Sequence, residues 1–467
     1  MEPQHTTKFA LSQDSLAQLR ARTEGTVITA DDPGYDEARG AWNLNYKHQP
    51  SVIVLPVNAV DIVLAVRFAR DEGMGIAVQA TGHGVAQTAA EGDLLIVTSR
   101  MNHVDVDAKT QTAWIEAGVQ WGAVLKKAQA HGLAPLLGSS PDVAAVGYTL
   151  GGGMGWLARQ YGMAVDSVNY FEVVTGDGRL VRASAANNSD LFWALCGGGG
   201  SFGVVTGMEI KLYPVTSVYG GNLYYPADMA KDVFTRYRDW IATAPEALTS
   251  SVLIMNYPPI PQIPEFLRGQ TFVQVRGCYC GPAAEGEALL RYWRDWHAPI
   301  IDDFKAMSFA DVATISNDPV DPTPGLATSI WLRDLNDDAI DILVQHGVDK
   351  QTYLIAEIRH AGGAIARVDA QANAYGNRDA QHILEIVAIT PTPEIWRYAE
   401  QAISGLKQEL RPHATGGVYI NFLEGEEKRA RTKDAFSPEN YQRLMQLKAK
   451  YDPSNLFRFS FDIPLVS

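Results

Sequence analysis

In the run "ATGHGVAQ", Ala80 to Gln87, one imidazole stands between two glycines in an otherwise small and uncharged loop. Flanking glycines leave His83 open to close approach by whatever the loop faces. Four roles fit an imidazole there. It can be a packed, hydrogen-bonded core residue, the commonest fate of a lone histidine. It can be a metal ligand, but no second His, Cys or carboxylate stands at helical or hairpin spacing. It can be a general base, which needs a partner not visible nearby. Finally, its nucleophilic nitrogen can be a covalent attachment point for a cofactor ring. The cysteines offer neither a disulfide framework nor a zinc site, since Cys196 is alone and Cys278 and Cys280 are separated by one residue.

Glycine is the second chemical signal. Of the 41 glycines, 14 fall between Gly147 and Gly207, which points to backbone brought close to a ligand or to tight turns. Consecutive N–H groups without Cβ atoms can form concave anion sites, and "GSSPDVAAVGYTLGGGMG" and "QATGHGVAQ" are two such loops. A dinucleotide fingerprint is excluded in spite of two formal matches. "GGGSFG" (198–203) runs into a strand, and "GMGWLA" (153–158) lacks a following parallel strand and a suitably spaced acid. No G-x-x-x-x-G-K-[ST] phosphate loop occurs.

The elements that must carry these loops are a mixed set. "SVIVLPV", "GIAVQATG", "DLLIVTSRM" and "TAWIEAGV" read as strands, and "FEVVTGDGRLVRA" as a hairpin turning at "GDG". "NAVDIVLAVRFARDEGM" is a helix with Asn58 as N-cap and Gly73 near its end, and "WGAVLKKAQAHGL" is one stopped at Gly132. This is an α+β pattern and not a regular βαβ series. From about Val215 to Arg411 the texture changes to more aromatics and longer helices, such as "MAKDVFTRYRDWIATAP". The last helix, in "SPENYQRLMQLKAKYDPSNLFR", has Ser437 as N-cap and Pro438 at its first position, and stops at Tyr451-Asp452-Pro453. With 467 residues, two or three domains are expected. A net charge of -14 argues against nucleic-acid binding, and no apolar run is long enough for a membrane span. The start, "MEPQHTTKFALSQDSL", has no basic-then-apolar leader pattern, so a cytoplasmic location is expected.

Motifs along almost the whole chain resemble one family. They are "DDPGYDEARGAWNLNYKHQPSVIVLPVNAVDIVLAVRFAR", "ATGHG", "GYTLGGGMGWLARQYGMAVDSV", "DLFWALCGGGGSFGVVTGMEIKLYPV", "RHAGGAIARV" and the closing "YDPSNLFRFSFDIP". The chain resembles flavoproteins of the vanillyl-alcohol oxidase superfamily, and more narrowly the bacterial berberine-bridge-enzyme-like oxidases. The resemblance implies an α+β fold with a two-part p-cresol methylhydroxylase (PCMH)-type FAD-binding domain, about 1–214 and 412–467. An antiparallel-sheet-plus-helices substrate domain, 215–411, is inserted between the parts. It implies FAD bonded covalently through the 8α-methyl to His83. Ser140 stands where many relatives carry a second, cysteinyl link, so one covalent bond is expected. FAD contacts map onto Gln79, Ala80, Thr81, Gly82, Gly84, Val85 and Gln87; onto Ser140, Pro141, Val143, Gly147, Tyr148, Gly151, Gly152 and Gly155; onto Gly203, Val204 and Val205; and onto Asn421 and Asn455. Relatives often have arginine where Gln79 stands, so backbone contacts to the pyrophosphate are expected there.

The same resemblance implies a small-molecule substrate and dioxygen as partners, and the residue spacing noted above leads us to expect no metal. Val143 stands where oxidases of the family carry a small residue beside the flavin. The substrate wall is expected from an antiparallel sheet, including "TYLIAEIRHAGG" and "HILEIVAIT", and from a strand at "VYINFLEGE". Phe422 replaces a tyrosine that relatives often use as base. Glu385, Glu357 and Tyr419 follow in that order as candidate bases. The implied reaction is hydride transfer from an alcohol, sugar, phenol or alkaloid-like substrate to flavin, with hydrogen peroxide released. Oxidative cyclisation or rearrangement, and non-catalytic sequestration of a ligand, are the alternatives.

Overall fold

Local chemistry fixes the element ends. In the computed structural model, which describes residues 11–349 and 354–465, the Asn58 side chain accepts from the Asp61 backbone N–H and starts the helix Ala59–Asp71. Gly73 follows it at φ +70°. Ser437 caps Pro438–Tyr451 in the same way, by accepting from the Asn440 N–H. Residues 1–10 and 352–353, on which parts of the leader and strand readings rest, lie outside the described residues.

Three sheets form the scaffold. The first has the order Thr26–Ile28, Val52–Leu55, Asp93–Val97, Gly75–Gln79. Its last three strands are parallel, with Ala59–Asp71 as crossover, so one βαβ unit is present locally. Val52, Val54, Ile62, Ala65, Ile76 and Ile96 pack there with Leu456 and Phe457 from the chain's end. Each fully buried Val or Ile of this kind stabilises by about 1.5–3 kcal/mol. The second sheet, antiparallel, runs Val104–Asp107, Thr112–Glu116, Val204–Lys211, Val168–Val174, Leu180–Ser184. Its hairpin turns through Gly178, at φ +74°, as the "GDG" run predicts.

The third sheet has eight strands, all antiparallel, between Ser217 and Ile389. The helices Ala230–Ile241, Ala283–Arg294, Asp337–Val344 and Pro393–Leu410 cover one face. Alternation along the strands does the sorting. Val275, Ala356, Ile358, Leu384 and Ile386 enter the helix-covered core. Their neighbours Arg276, Glu357, Arg359 and Glu385 therefore share the opposite face, with Ile383 and Trp331 in the other core.

"VYINFLEGE" is not a strand. It forms a 3₁₀ turn, Ile420–Phe422, followed by the helix Gly425–Ala430. Its backbone is satisfied without a ladder: the Phe422 N–H donates to the Tyr419 carbonyl, and the Ser329 hydroxyl bridges the Tyr419 N–H and carbonyl. Among the described residues no helix is long and apolar enough to cross a membrane.

Candidate active site

The open face of the eight-stranded sheet looks across a cavity of about 470 Å³ toward the glycine loops. That volume is in the range of small-molecule and cofactor sites. The Gln79–Gln87 loop forms one wall. It is pinned by backbone bonds from Trp42 to Thr81, from Asn43 to Gly82 and from Gly425 to Val85. Gly82 sits at φ +79°, and a Cβ there would come within 2.7 Å of the Ala41 Cα, so only glycine lets the loop pass.

That loop presents His83 in a fixed pose. Trp42 stacks on the ring with centroids 4.4 Å apart and planes 17° apart. Nδ1 lies 2.8 Å from the Thr81 Oγ1, and Nε2 lies 3.3 Å from an Asp142 carboxylate oxygen. Burial lowers the imidazole's pKa from its ordinary value, against the pull of Asp142, which keeps the ring neutral near pH 7.

The opposite wall is charged. The Glu357 carboxylate accepts from the Ser251 hydroxyl (2.6 Å) and from the Arg359 Nε (2.8 Å), with the Arg276 guanidinium 3.7 Å away. Arg359 also reaches Glu385, at 2.7 Å. One guanidinium cannot hold two buried carboxylates equally. Burial would raise Glu357, but Arg359, Arg276 and the Ser251 bond outweigh it and hold its pKa below the usual value. For Glu385 burial wins and pushes the pKa up to about 8, with Arg359 opposing and Glu357 and Asp318 adding repulsion. The two acids are thus driven apart, Glu357 held as a charged group and Glu385 moved toward the neutral range.

Most residues expected at the site do meet at this cavity. Gln79, Ala80, Thr81, Gly82, His83, Gly84, Val85 and Gln87 line it, as do Ser140, Val143, Gly147, Tyr148, Gly203, Val204, Val205, Asn421, Glu357 and Glu385. Six do not. Gly151, Gly152 and Gly155 are glycines of tight packing, closed off by the Asn421 amide, the Tyr375 ring and the Leu137 carbonyl. The Pro141 carbonyl accepts from the Gly122 N–H, and Asn455, at φ +51°, makes the turn that donates to Asp452. Tyr419 is buried, and its hydroxyl oxygen accepts from the N–H groups of Gly153 and Met154, both at 3.0 Å. Burial raises that phenol to about 12, so it fixes the glycine loop and is no base near neutral pH.

Other contributors escaped the sequence. Arg359 had a signal, because period 2 on a strand puts it on the face of Glu357. Arg276, Asp318, Trp42 and Asp142 had none. The Ser140 hydroxyl donates to Asp318 at 2.8 Å. Lys428 is buried on the cavity edge, 3.3 Å from the Gly84 carbonyl, and burial lowers its pKa to about 8. Nearby Glu424, accepting from Asn43, is raised by burial to about 7.

The chain's relatives agree with this architecture. A family model described as "FAD binding domain" matches residues 50–184, and one described as "Berberine and berberine like" matches residues 418–464. The uncharacterized FAD-linked oxidoreductase YgaK of Bacillus subtilis is 30% identical over 458 residues, covering 95% of this chain and 98% of that one. The chain belongs to the berberine-bridge-like family of FAD-linked oxidoreductases. This FAD-linked oxidoreductase is also similar to the (R)-6-hydroxynicotine oxidase of Paenarthrobacter nicotinovorans, at 26% identity across 94% of this chain and 96% of that one. Its fold matches that of Physcomitrella patens BBE-like 1, with a TM-score of 0.85 at 22% identity over 97% of this chain and 99% of that one.

The residues present fit FAD. Gln79 Oε1 and the Tyr148 hydroxyl are buried cavity-wall atoms without a hydrogen-bond partner, ready for a polar ligand. Gly203 has no room for a side chain, with Val173 2.7 Å from where a Cβ would stand, so backbone forms the wall there.

Proposed function

We propose that this oxidoreductase is an oxidase for a small organic alcohol or amine, with FAD held covalently through His83 and dioxygen as acceptor. FAD supplies two-electron acceptance of a hydride and its return to oxygen as hydrogen peroxide. The observation that carries the reading is Glu385, a buried carboxyl with its pKa near 8 on the cavity wall that faces the His83 loop. In the proposed step Glu385 takes the O–H or N–H proton of the substrate as hydride leaves the adjacent carbon. Arg359 spreads the charge between Glu357 and Glu385. Gln79, the 81–85 backbone, Tyr148 and Gly203 would hold the cofactor, and Lys428 adds a positive charge beside Gly84. Leu326, Ile355, Val387 and Phe422 give the substrate side apolar walls that exclude water.

The test is rapid mixing with a panel of alcohols, sugars, phenols and amines. A substrate bleaches the flavin anaerobically, and air restores the colour with release of peroxide. Bleaching by none of them, with the spectrum merely shifted, would make the protein a ligand carrier. Val143, which lines the cavity, is proposed as the residue that admits oxygen. Val143→Leu is expected to slow reoxidation by about tenfold or more, about 1.4 kcal/mol of barrier, with anaerobic reduction nearly unchanged. Slowed reduction with normal reoxidation would place the gate elsewhere.

A further inference from the structure

The Asp142 side chain is spent on nothing but His83. Both its carboxylate oxygens are buried and, among the described residues, accept no hydrogen bond, and the one titratable group against them is the His83 Nε2, itself buried without a hydrogen-bond partner and 3.3 Å from one of the oxygens. A buried carboxylate with a single neighbour is costly unless that neighbour shares a proton with it. The ring is otherwise fully oriented, stacked under Trp42 and met at Nδ1 by the Thr81 hydroxyl. Which nitrogen of an imidazole carries the proton is set by what each nitrogen faces. Here Nε2 is buried against a pure acceptor, and Nδ1 faces a hydroxyl that can donate. The proton therefore belongs on Nε2, and the lone pair on Nδ1.

We infer that Asp142 is the proton acceptor for covalent attachment of FAD, holding His83 in the tautomer whose Nδ1 forms the bond. The inference rests on the covalent reading above and adds the residue that drives it. In the reaction one C–H bond of the flavin 8-methyl breaks and a C–N bond to Nδ1 forms. One proton leaves the methyl, and a second leaves Nε2 for Asp142. The two electrons reduce the flavin ring, and dioxygen takes them with two protons to give hydrogen peroxide. Alkylation at Nδ1 would leave the ring cationic until Nε2 gives up its proton, so a carboxylate at Nε2 stabilises the charge as it develops. The same logic governs Asp–His pairs elsewhere, where the acid fixes tautomer and orientation. Sequence spacing gives no hint of this pair, because loop packing alone brings residues 83 and 142 together.

The experiment uses the full chain made in a riboflavin-starved host, then given FAD in air, with intact mass followed under denaturing conditions. The unaltered chain gains one FAD less two hydrogens. Asp142→Asn keeps the shape and binds FAD that acid releases, while the covalent adduct forms about 100-fold more slowly or worse, as expected for loss of a general base. Asp142→Glu recovers attachment to a rate between the two. Peptide analysis of the unaltered product finds the flavin on Nδ1. Attachment at the normal rate in Asp142→Asn would overturn the inference, and so would a bond at Nε2. An Asp142→Asn chain that binds no FAD at all would assign Asp142 to building the loop, and also overturns it. If acid releases all flavin from the unaltered chain, the covalent reading itself fails, a result distinct from each of these.

Discussion

Glu385→Gln is expected to slow anaerobic flavin reduction by about 10²–10⁴-fold, the usual cost of losing a general base. Glutamine keeps the shape and can still accept from Arg359, so FAD content and fold stay as they are. The pH profile gives a second readout. A carboxyl must be ionised to accept a proton, and Glu385 has its pKa near 8 because burial outweighs Arg359. Reduction by substrate should therefore rise with pH up to about 8 and level off above it. That rising limb should vanish in Glu385→Gln. Glu357→Gln should behave differently, because Glu357 is already ionised at neutral pH and anchors Arg359 and Arg276. Its loss frees Arg359 to hold Glu385 more firmly, which should move the limb to lower pH. Normal reduction in Glu385→Gln would remove the base from this strand.

Asp452→Ala is expected to cost about 3–5 kcal/mol of stability, the range for breaking a buried ion pair by removing one partner. Lys448 and Asp452 are 1% and 0% exposed in their side chains and lie 2.6 Å apart. The carboxylate also accepts the N–H groups of Leu456 (2.8 Å) and Phe457 (2.9 Å), which turns the chain after the last helix. Alanine leaves a buried ammonium with only the Ser201 and Phe457 carbonyls, and strands two N–H groups. Phe457, Phe459 and Phe461 line the cavity just beyond this turn, so retention of non-covalent flavin should weaken with stability. Denaturant unfolding followed by circular dichroism measures the cost. A change below about 1 kcal/mol would mean the pair is no keystone of the C-terminal turn.

What could be read without the fold was local. Asn58, Ser437 and Pro438 act over three or four residues, and their caps stand where the sequence puts them. The period of "ILEIVAI" likewise sets Glu385 opposite Leu384 and Ile386, on the cavity face with Val387. What could not be read depends on partners far along the chain. Glycines of "GYTLGGGMG" look alike in sequence, yet Gly147 meets the cavity while Gly151 and Gly152 pack against Asn421 and Tyr375. "VYINFLEGE" has strand-forming residues, but Ser329 and Tyr419 satisfy its backbone as a turn. Charge pairing was the least legible of all. Glu385 and Glu357 come from neighbouring strands and share Arg359, and Arg276 and Ser251, from two further parts of the sheet, help it hold Glu357 down while burial lifts Glu385.

In the proposed site one cavity brings together a flavin bonded to His83 and a base at Glu385, and the flavin bond is open to direct detection. Acid-precipitated, proteolysed protein should yield a single yellow fluorescent peptide, and tandem mass spectrometry should place one FAD-derived group on His83, with none on Ser140. His83→Ala should yield no flavin peptide at all. Flavin recovered wholly in the acid supernatant of the unaltered protein, or carried by any residue other than His83, would rule out the histidyl bond.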